Sequence, residues 1–129
     1  MLIRSVVLLF WWSSNVKSIM RSKAVPIVKE NSKAELGRKL FFDKRLSGDN
    51  TISCVSCHNP KLAFTDGKKF SAGVEGRLSF RNTPTLLNVV EATSFMFDAE
   101  IKTLEEQAIV PIQDHTEMNI RMGDLIRKL

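Results

Sequence analysis

Both cysteines of this 129-residue chain lie three positions apart, and a histidine directly follows the second: Cys54, Cys57 and His58 in the stretch ISCVSCHNP. A disulfide between the two cysteines would close a very short loop and would stabilise the fold little. A structural zinc site needs four Cys or His ligands, and His115 is the only such residue outside the motif. A thioredoxin-like C-x-x-C belongs to a βαβ unit, which the sequence does not indicate. The spacing favours C-x-x-C-H, the attachment signature of c-type haem.

Each residue of that signature has a chemical role. Two thiols at this spacing can add to the two vinyl groups of haem, which gives thioether bonds to Cys54 and Cys57. The imidazole of His58 is then held under the ring and donates a nitrogen to the iron as the proximal ligand. Because bacterial attachment of this kind takes place outside the cytoplasm, the motif also predicts an exported, periplasmic protein.

Residues 1–22 differ in composition from the rest of the chain. Arg4 precedes an apolar run from Val6 to Trp12, and small polar residues follow. The pattern resembles a short secretory signal, although it lacks a clear A-x-A cleavage site; the alternative is a disordered leader. The apolar run is too short to cross a membrane as a helix.

The composition, with 43% hydrophobic and 26% charged residues, is that of a globular protein with a small core. A large apolar cofactor would add substantially to such a core. The net charge of +5 comes from scattered Lys and Arg, and aromatic residues do not interleave with them. We therefore expect no nucleic-acid binding and, instead, a basic face that docks an acidic protein partner.

The fold class predicted from the local patterns is all-α, because no alternating strand pattern is present. Ser32 with Glu35, and Thr103 with Glu106, have the form of capping boxes that open helices, and Pro111 should end or kink the second of them. Glycine and polar turn residues predict a turn over 46–52 and an irregular loop over 65–80. A further helix is predicted to start at Thr83-Pro84 and to carry Leu86, Leu87, Val89 and Val90. A final amphipathic helix is predicted to carry Met118, Met122, Leu125, Ile126 and Leu129.

The flanks of the motif carry a resemblance. The stretches GRKLFFDKRLSGDNTISCVSCHNPKLAFTDG, RNTPTLLN and TLEEQAIVPIQDHTEM resemble the N-terminal haem domain of the bacterial di-haem cytochrome c peroxidase and MauG-like family. The resemblance implies one cytochrome c-like helical domain over 30–129 that holds the peroxide-reactive haem. In the family a second C-x-x-C-H domain follows and passes on electrons. Since this sequence has no second motif, we expect a fragment, or a partner chain that supplies the second haem.

The resemblance also assigns residues. It matches Cys54 and Cys57 to the thioether cysteines and His58 to the proximal ligand. It matches Glu117 to the acidic residue on the peroxide side, where a carboxylate can take a proton from peroxide and return it to the departing oxygen. Asn82 matches a ligand of the calcium ion that lies between the two haem domains.

Three positions depart from the family pattern. Val74 stands where the peroxidase branch has a histidine that caps the iron until reductive activation, so an uncapped iron closer to MauG-like members is expected. Phe97 replaces a tryptophan often found between the two haems, and Glu100 replaces an arginine. Electron transfer through the position of Phe97 is therefore in question.

The predicted function is reduction of hydrogen peroxide with electrons from a small donor protein, a cytochrome c or a cupredoxin, with homodimerisation left open. The alternatives are a mono-haem electron-transfer cytochrome and MauG-like oxidation of a protein substrate. The sixth iron ligand would separate the carrier from the enzyme. Of the other residues able to ligate iron, Met118 and Met122 are expected in the core, His115 at the surface or supporting the site, and Met96 is unassigned.

Overall fold

The computed structural model describes residues 32–129, and these form four α-helices joined by long irregular connections. The helices are α1 (Lys33–Phe42), α2 (Cys54–Cys57), α3 (Leu104–Gln113) and α4 (Met122–Lys128), with short 3₁₀ turns at Lys44–Leu46, Pro60–Leu62, Val74–Gly76 and Val89–Glu91. Within this part of the chain the only β-pairing consists of three isolated bridges, so the predicted all-α class is confirmed. The predicted leader, residues 1–22, lies outside the described residues. No helix among 32–129 combines the length and apolarity needed to cross a membrane.

The two predicted capping boxes begin helices as expected. Ser32 Oγ accepts a hydrogen bond of 3.2 Å from the Glu35 N–H at the start of α1. Thr103 Oγ1 accepts one of 3.2 Å from the Glu106 N–H at the start of α3. In both cases a side-chain oxygen satisfies an N–H that has no partner inside the helix. Pro111, expected to end or kink α3, lies inside it, and the helix continues to Gln113.

The prediction of a helix that starts at Thr83-Pro84 is wrong. Residues 83–86 are irregular, and only the 3₁₀ turn Val89–Glu91 follows. The Thr83 hydroxyl does not cap a helix; it lies 2.6 Å from Ser71 Oγ in a buried side-chain hydrogen bond. Asn88 adopts a φ of 56°, which a right-handed helical path cannot include. The Thr83 hydroxyl therefore makes a tertiary contact with Ser71 and does not cap a helix.

The final amphipathic stripe is only partly correct. Asn119, with φ of 49°, separates Met118 from the helix, which begins at Met122. Leu125 is buried as expected, whereas Ile126 is 72% exposed. The apolar residues at helical spacing therefore belong to two elements: Met118 lies in a turn, and the others lie in or at the end of a shorter helix.

The core is small and lies beside the first cysteine. Its buried residues are Leu46, Met118, Ile120 and Leu125, with Leu40, Ile52, Cys54, Ile112 and Met122 packed against them. Met118 and Met122 thus take the core positions predicted for them. Lys128 Nζ donates a 2.6 Å hydrogen bond to the Ser47 carbonyl, which fastens α4 to the turn after α1. The packing that holds the fold together therefore also supports one end of the C-x-x-C-H motif.

Candidate functional site

The C-x-x-C-H motif forms a single helical turn. Ser56 Oγ accepts a 3.0 Å hydrogen bond from the Ser53 N–H before α2, and the His58 N–H donates 2.8 Å to the Cys54 carbonyl at its end. Both cysteines are free thiols and half-buried. The turn and the residue that ends it therefore carry two free thiols, three positions apart, and one imidazole directly after the second thiol.

His58 is oriented by a backbone carbonyl. Its Nδ1 lies 3.0 Å from the carbonyl oxygen of Phe64. When Nδ1 carries the proton it donates to this carbonyl, and Nε2 is left free to bind a metal. Two thiols with an imidazole fixed in this way are the donor set that covalent haem attachment requires, so these residues fit haem c.

Burial and nearby charge act on both thiols. Burial raises the pKa of Cys54. Burial also raises the pKa of Cys57, and the negative charges of Asp66 and Glu117 raise it further, while a hydrogen bond from Thr83 opposes them. Glu117 is therefore close enough to the motif for its charge to act on Cys57, although 60 positions separate the two in sequence.

Glu117 is a half-buried carboxyl. Burial raises its pKa, and the negative charge of Asp114 raises it further. Its carbonyl accepts a 2.8 Å hydrogen bond from the Val74 N–H. A Cβ added to Gly73 would lie 2.6 Å from that same carbonyl oxygen, so only glycine allows the two backbones to approach so closely.

Further contacts fix the segment on both sides of Glu117. The Gly48 N–H donates 2.7 Å to the Met118 carbonyl, and Arg77 Nη1 donates 3.0 Å to the His115 carbonyl. Asp114 Oδ1 accepts from both the N–H and the hydroxyl of Thr116, each at 2.7 Å. Residues 114–119 are thus held by two other loops and by their own hydrogen bonds.

The positions that depart from the family pattern lie in different settings. Val74 is only 1% exposed. It is the first residue of the 3₁₀ turn Val74–Gly76. Phe97 is 75% exposed, with the Arg81 guanidinium 3.8 Å from its ring centre. Glu100 is exposed. The Val74 N–H is hydrogen-bonded to the backbone of Glu117, whereas Phe97 lies on the surface.

The remaining candidates lie at the surface. Asn82 is exposed, and no group of three His, Cys, Asp or Glu side chains suited to a metal ion occurs within residues 32–129. The His115 side chain is 71% exposed, with Nδ1 3.8 Å from Asp114 Oδ1, which agrees with the surface position expected for it.

Sequence reasoning missed Phe64, Gly73 and Thr85 as parts of the site. Phe64 contributes a backbone carbonyl, which has no residue-type signal. Gly73 was visible only as one glycine of an irregular loop. Thr85, whose hydroxyl donates 2.5 Å to the Ala63 carbonyl, follows the Thr83-Pro84 pair that predicts a helix start, and that pattern indicates no role in a site.

Comparisons with known proteins agree with this geometry. The family model described as di-haem cytochrome c peroxidase matches residues 31–129. The methylamine utilization protein MauG of Methylophilus methylotrophus is 36% identical over 92% of this chain and 37% of its own length. The cytochrome c551 peroxidase of Pseudomonas aeruginosa is 42% identical over 66% of this chain and 25% of its own.

Solved structures give the same result. A MauG-like protein associated with microbial copper homeostasis matches with a TM-score of 0.70 and 36% identity, covering 80% of this chain and 30% of that one. The diheme peroxidase BthA from Burkholderia thailandensis matches with a TM-score of 0.68 and 33% identity, covering 74% and 28%. This chain therefore spans about a third of the length of the proteins that it resembles.

Proposed function

The chain belongs to the di-haem cytochrome c peroxidase and MauG-like family, and from that premise we propose that it is a haem c oxidoreductase domain that reduces hydrogen peroxide. A small donor protein, a cytochrome c or a cupredoxin, supplies the electrons. One observation carries the proposal: a half-buried carboxyl of raised pKa, Glu117, lies near enough to the C-x-x-C-H motif for its charge to act on Cys57.

Cys54 and Cys57 would hold the haem through thioether bonds, and His58 Nε2 would bind its iron on the proximal side. Bound haem c supplies the redox-active iron whose electrons reduce peroxide. Reduction of hydrogen peroxide to two waters takes up two electrons and two protons. The protein must therefore move a proton to the departing oxygen, so that it leaves as water and not as hydroxide.

Glu117 has the properties of that proton carrier. A carboxylate oxygen accepts a proton from one peroxide oxygen and returns it to the other as the O–O bond breaks. Because burial and Asp114 raise its pKa, the carboxyl holds a proton more readily near neutral pH than an exposed glutamate does. The contacts with Gly73 and Val74 fix the backbone from which the carboxyl projects, which favours a reproducible proton path.

The test is the rate at which the haem-loaded protein reacts with peroxide. Glu117→Gln keeps the shape of the side chain but cannot exchange the proton, so we expect the rate to fall about 10²- to 10⁴-fold. Glu105→Gln, in the exposed first turn of α3, is the matched control and should react like the unchanged protein. An unchanged rate in Glu117→Gln would overturn the proposed role.

A second haem domain, in the same chain or a partner chain, is the proposed immediate source of electrons. Leu78, Phe80, Leu87, Val90, Met96 and Phe97, all within residues 78–97, are each at least 45% exposed. Contact with bound haem or with a second domain would bury apolar side chains of this kind. No electron route is assigned to Phe97.

MauG-like oxidation of a protein substrate is the second candidate. Two points favour it: the family resemblance matches Val74 to the position of the capping histidine, and the similarity to MauG covers 92% of the chain. Met118 and Met122 pack in or against the core, which removes two of the four residues that a mono-haem electron carrier could use as its sixth iron ligand. A high-spin, five-coordinate ferric spectrum that changes with peroxide fits either enzyme, and a low-spin His/Met spectrum indifferent to peroxide would contradict both. Substrate assays then separate the two enzymes.

Export to the periplasm is part of the same proposal, because haem c attachment takes place there. Asn82 remains the proposed calcium ligand. Residues 32–129 contain no group of three His, Cys, Asp or Glu side chains that could hold a metal ion, and no step of the reaction is assigned to calcium. Homodimerisation stays a prediction.

A further inference from the structure

The carbonyl that faces His58 belongs to a turn of unusual backbone conformation. Ala63 and Phe64 are consecutive non-glycine residues with φ of 53° and 58°, a left-handed region that side chains disfavour. Hydrogen bonds close the turn from within: the Phe64 N–H donates 2.8 Å to the Asn59 carbonyl, and the Asn59 N–H donates 3.1 Å to the Thr65 carbonyl. Two adjacent disfavoured residues persist where surrounding contacts hold them, and such places are often functional.

Thr85 supplies a contact from outside the turn. Its hydroxyl donates a 2.5 Å hydrogen bond to the Ala63 carbonyl, and the same oxygen accepts 3.1 Å from the Leu87 N–H. Because a carbonyl oxygen can only accept, the hydroxyl proton is directed at Ala63, and a lone pair of the hydroxyl oxygen receives the Leu87 N–H. Thr85 therefore holds one end of the peptide unit that precedes the Phe64 carbonyl.

The segment that carries Thr85 is itself anchored. Thr83, two residues earlier, is buried, and its hydroxyl lies 2.6 Å from Ser71 Oγ. Pro84 between the two threonines fixes its own φ and restricts the residue before it to an extended conformation. The Thr-Pro-Thr tripeptide is thus a stiff connection from the buried Ser71 to the turn beside His58.

We propose that Thr85 is a positioning residue for the proximal side of the haem, because it holds the turn that presents the Phe64 carbonyl to His58 Nδ1. The inference rests on the proposed function only in that His58 binds the iron. A hydrogen bond from Nδ1–H to a well-placed carbonyl makes the imidazole a stronger donor through Nε2. A stronger donor stabilises ferric over ferrous iron and so lowers the reduction potential.

The test is a potentiometric titration of the haem-loaded protein without peroxide. Thr85→Val keeps the shape of the side chain and removes the hydroxyl. At a fixed applied potential its ferrous-to-ferric ratio should rise about three- to tenfold, where tenfold corresponds to about 59 mV for one electron. Its iron–imidazole stretching frequency in the ferrous state should fall. Thr85→Ser keeps the hydroxyl and should restore both values.

Thr103→Val is the matched control, because it makes the same substitution at a threonine that caps α3. The reduction potential of this variant should equal that of the unchanged protein. An unchanged potential and stretching frequency in Thr85→Val would overturn the proposal. If Thr85→Val fails to load haem, Thr85→Val/Ala63→Gly carries the test, since glycine adopts positive φ freely. Restored loading would support the proposal, and a double variant as defective as the single one would overturn it.

The outcomes separate this inference from the proposed function. An unchanged peroxide rate in Glu117→Gln overturns the peroxidase role and leaves the potential of Thr85→Val as a valid measurement. Absence of an iron–imidazole stretch in the unchanged protein would mean that His58 is not a ligand, and would overturn both.

Discussion

At Glu117, a side chain proposed to exchange a proton is attached to a backbone that contacts from two other loops hold in place. Burial and Asp114 both favour its protonated form, whereas Asp43, Asp49 and Asp124, which are also partly buried, have a pKa lowered by hydrogen bonds from their neighbours. The contrast within one small protein identifies Glu117 as the carboxyl whose surroundings differ most from those of a surface group.

The raised pKa of Glu117 predicts a pH dependence of stability. Because folding raises this pKa above its ordinary 4.5, the associated stability is fully present below pH 4.5 and is lost as the pH rises through the folded pKa. Glutamine does not titrate, so Glu117→Gln should lose less unfolding free energy than the unchanged protein over that rise. Denaturant unfolding of the haem-loaded protein at several pH values measures the difference. Parallel curves for the two proteins would contradict the prediction, and Glu105→Gln should follow the unchanged protein.

The residues recoverable from the sequence are those whose chemistry requires a particular side chain. Cys54, Cys57 and His58 each have a role that no other residue type fills, so their spacing alone indicated haem c. Glu117 needed the family resemblance, because one glutamate in a helix-rich sequence is usually a solvated surface group. Phe64 could not have been found, since its contribution to the site is a main-chain oxygen.

Among the elements, α1 and α3 follow directly from local sequence. In each, a Ser or Thr accepts from the N–H three residues later, and this contact involves only neighbours in the chain. The same local rule failed at Thr83-Pro84, because a partner twelve positions earlier, Ser71, takes the Thr83 hydroxyl. Local patterns are reliable where no tertiary contact competes for the same atom.

Removal of the α3 cap gives a prediction at this scale. Thr103→Ala leaves the Glu106 N–H without its side-chain partner and should lower the unfolding free energy by about 1 kcal/mol. Thr103→Ser retains the acceptor and should recover most of the loss. Thermal or denaturant unfolding of the three haem-loaded proteins makes the comparison, and equal stability of the alanine and serine variants would exclude a capping role.

For the whole molecule, the arrangement around Glu117 depends on contacts between distant parts of the chain. Gly48 contacts Met118, and Arg77 contacts His115 across 38 positions. No local pattern encodes these meetings, because each depends on how the long irregular loops pack after the helices form. The family resemblance placed the residues in one domain, and only the structure related the loops to one another.

The 129-residue chain by itself should bind haem and turn over slowly. It carries one C-x-x-C-H motif, and the proposed electron source is a second haem domain. Haem-loaded chain of this length should therefore react with a first equivalent of peroxide but sustain little turnover with a small cytochrome or cupredoxin donor. Steady-state donor oxidation is the measurement, and sustained turnover by this chain alone would contradict the prediction.

Gly48 and Gly73, the two glycines packed closely against other backbone, limit which substitutions the protein can accept during evolution. Gly73 has an ordinary φ of −92°, so space and not backbone conformation excludes a side chain there. A Cβ on Gly48 would lie 2.5 Å from the Asn119 carbonyl oxygen, and one on Gly73 would meet the carbonyl of Glu117. Each alanine would displace the same short segment, residues 116–119, so the second displacement should cost less free energy than the first.

We expect Gly48→Ala and Gly73→Ala to be epistatic, with a coupling of about 0.5–3 kcal/mol in a double-mutant cycle. Once either glycine had changed, the constraint on the other would relax.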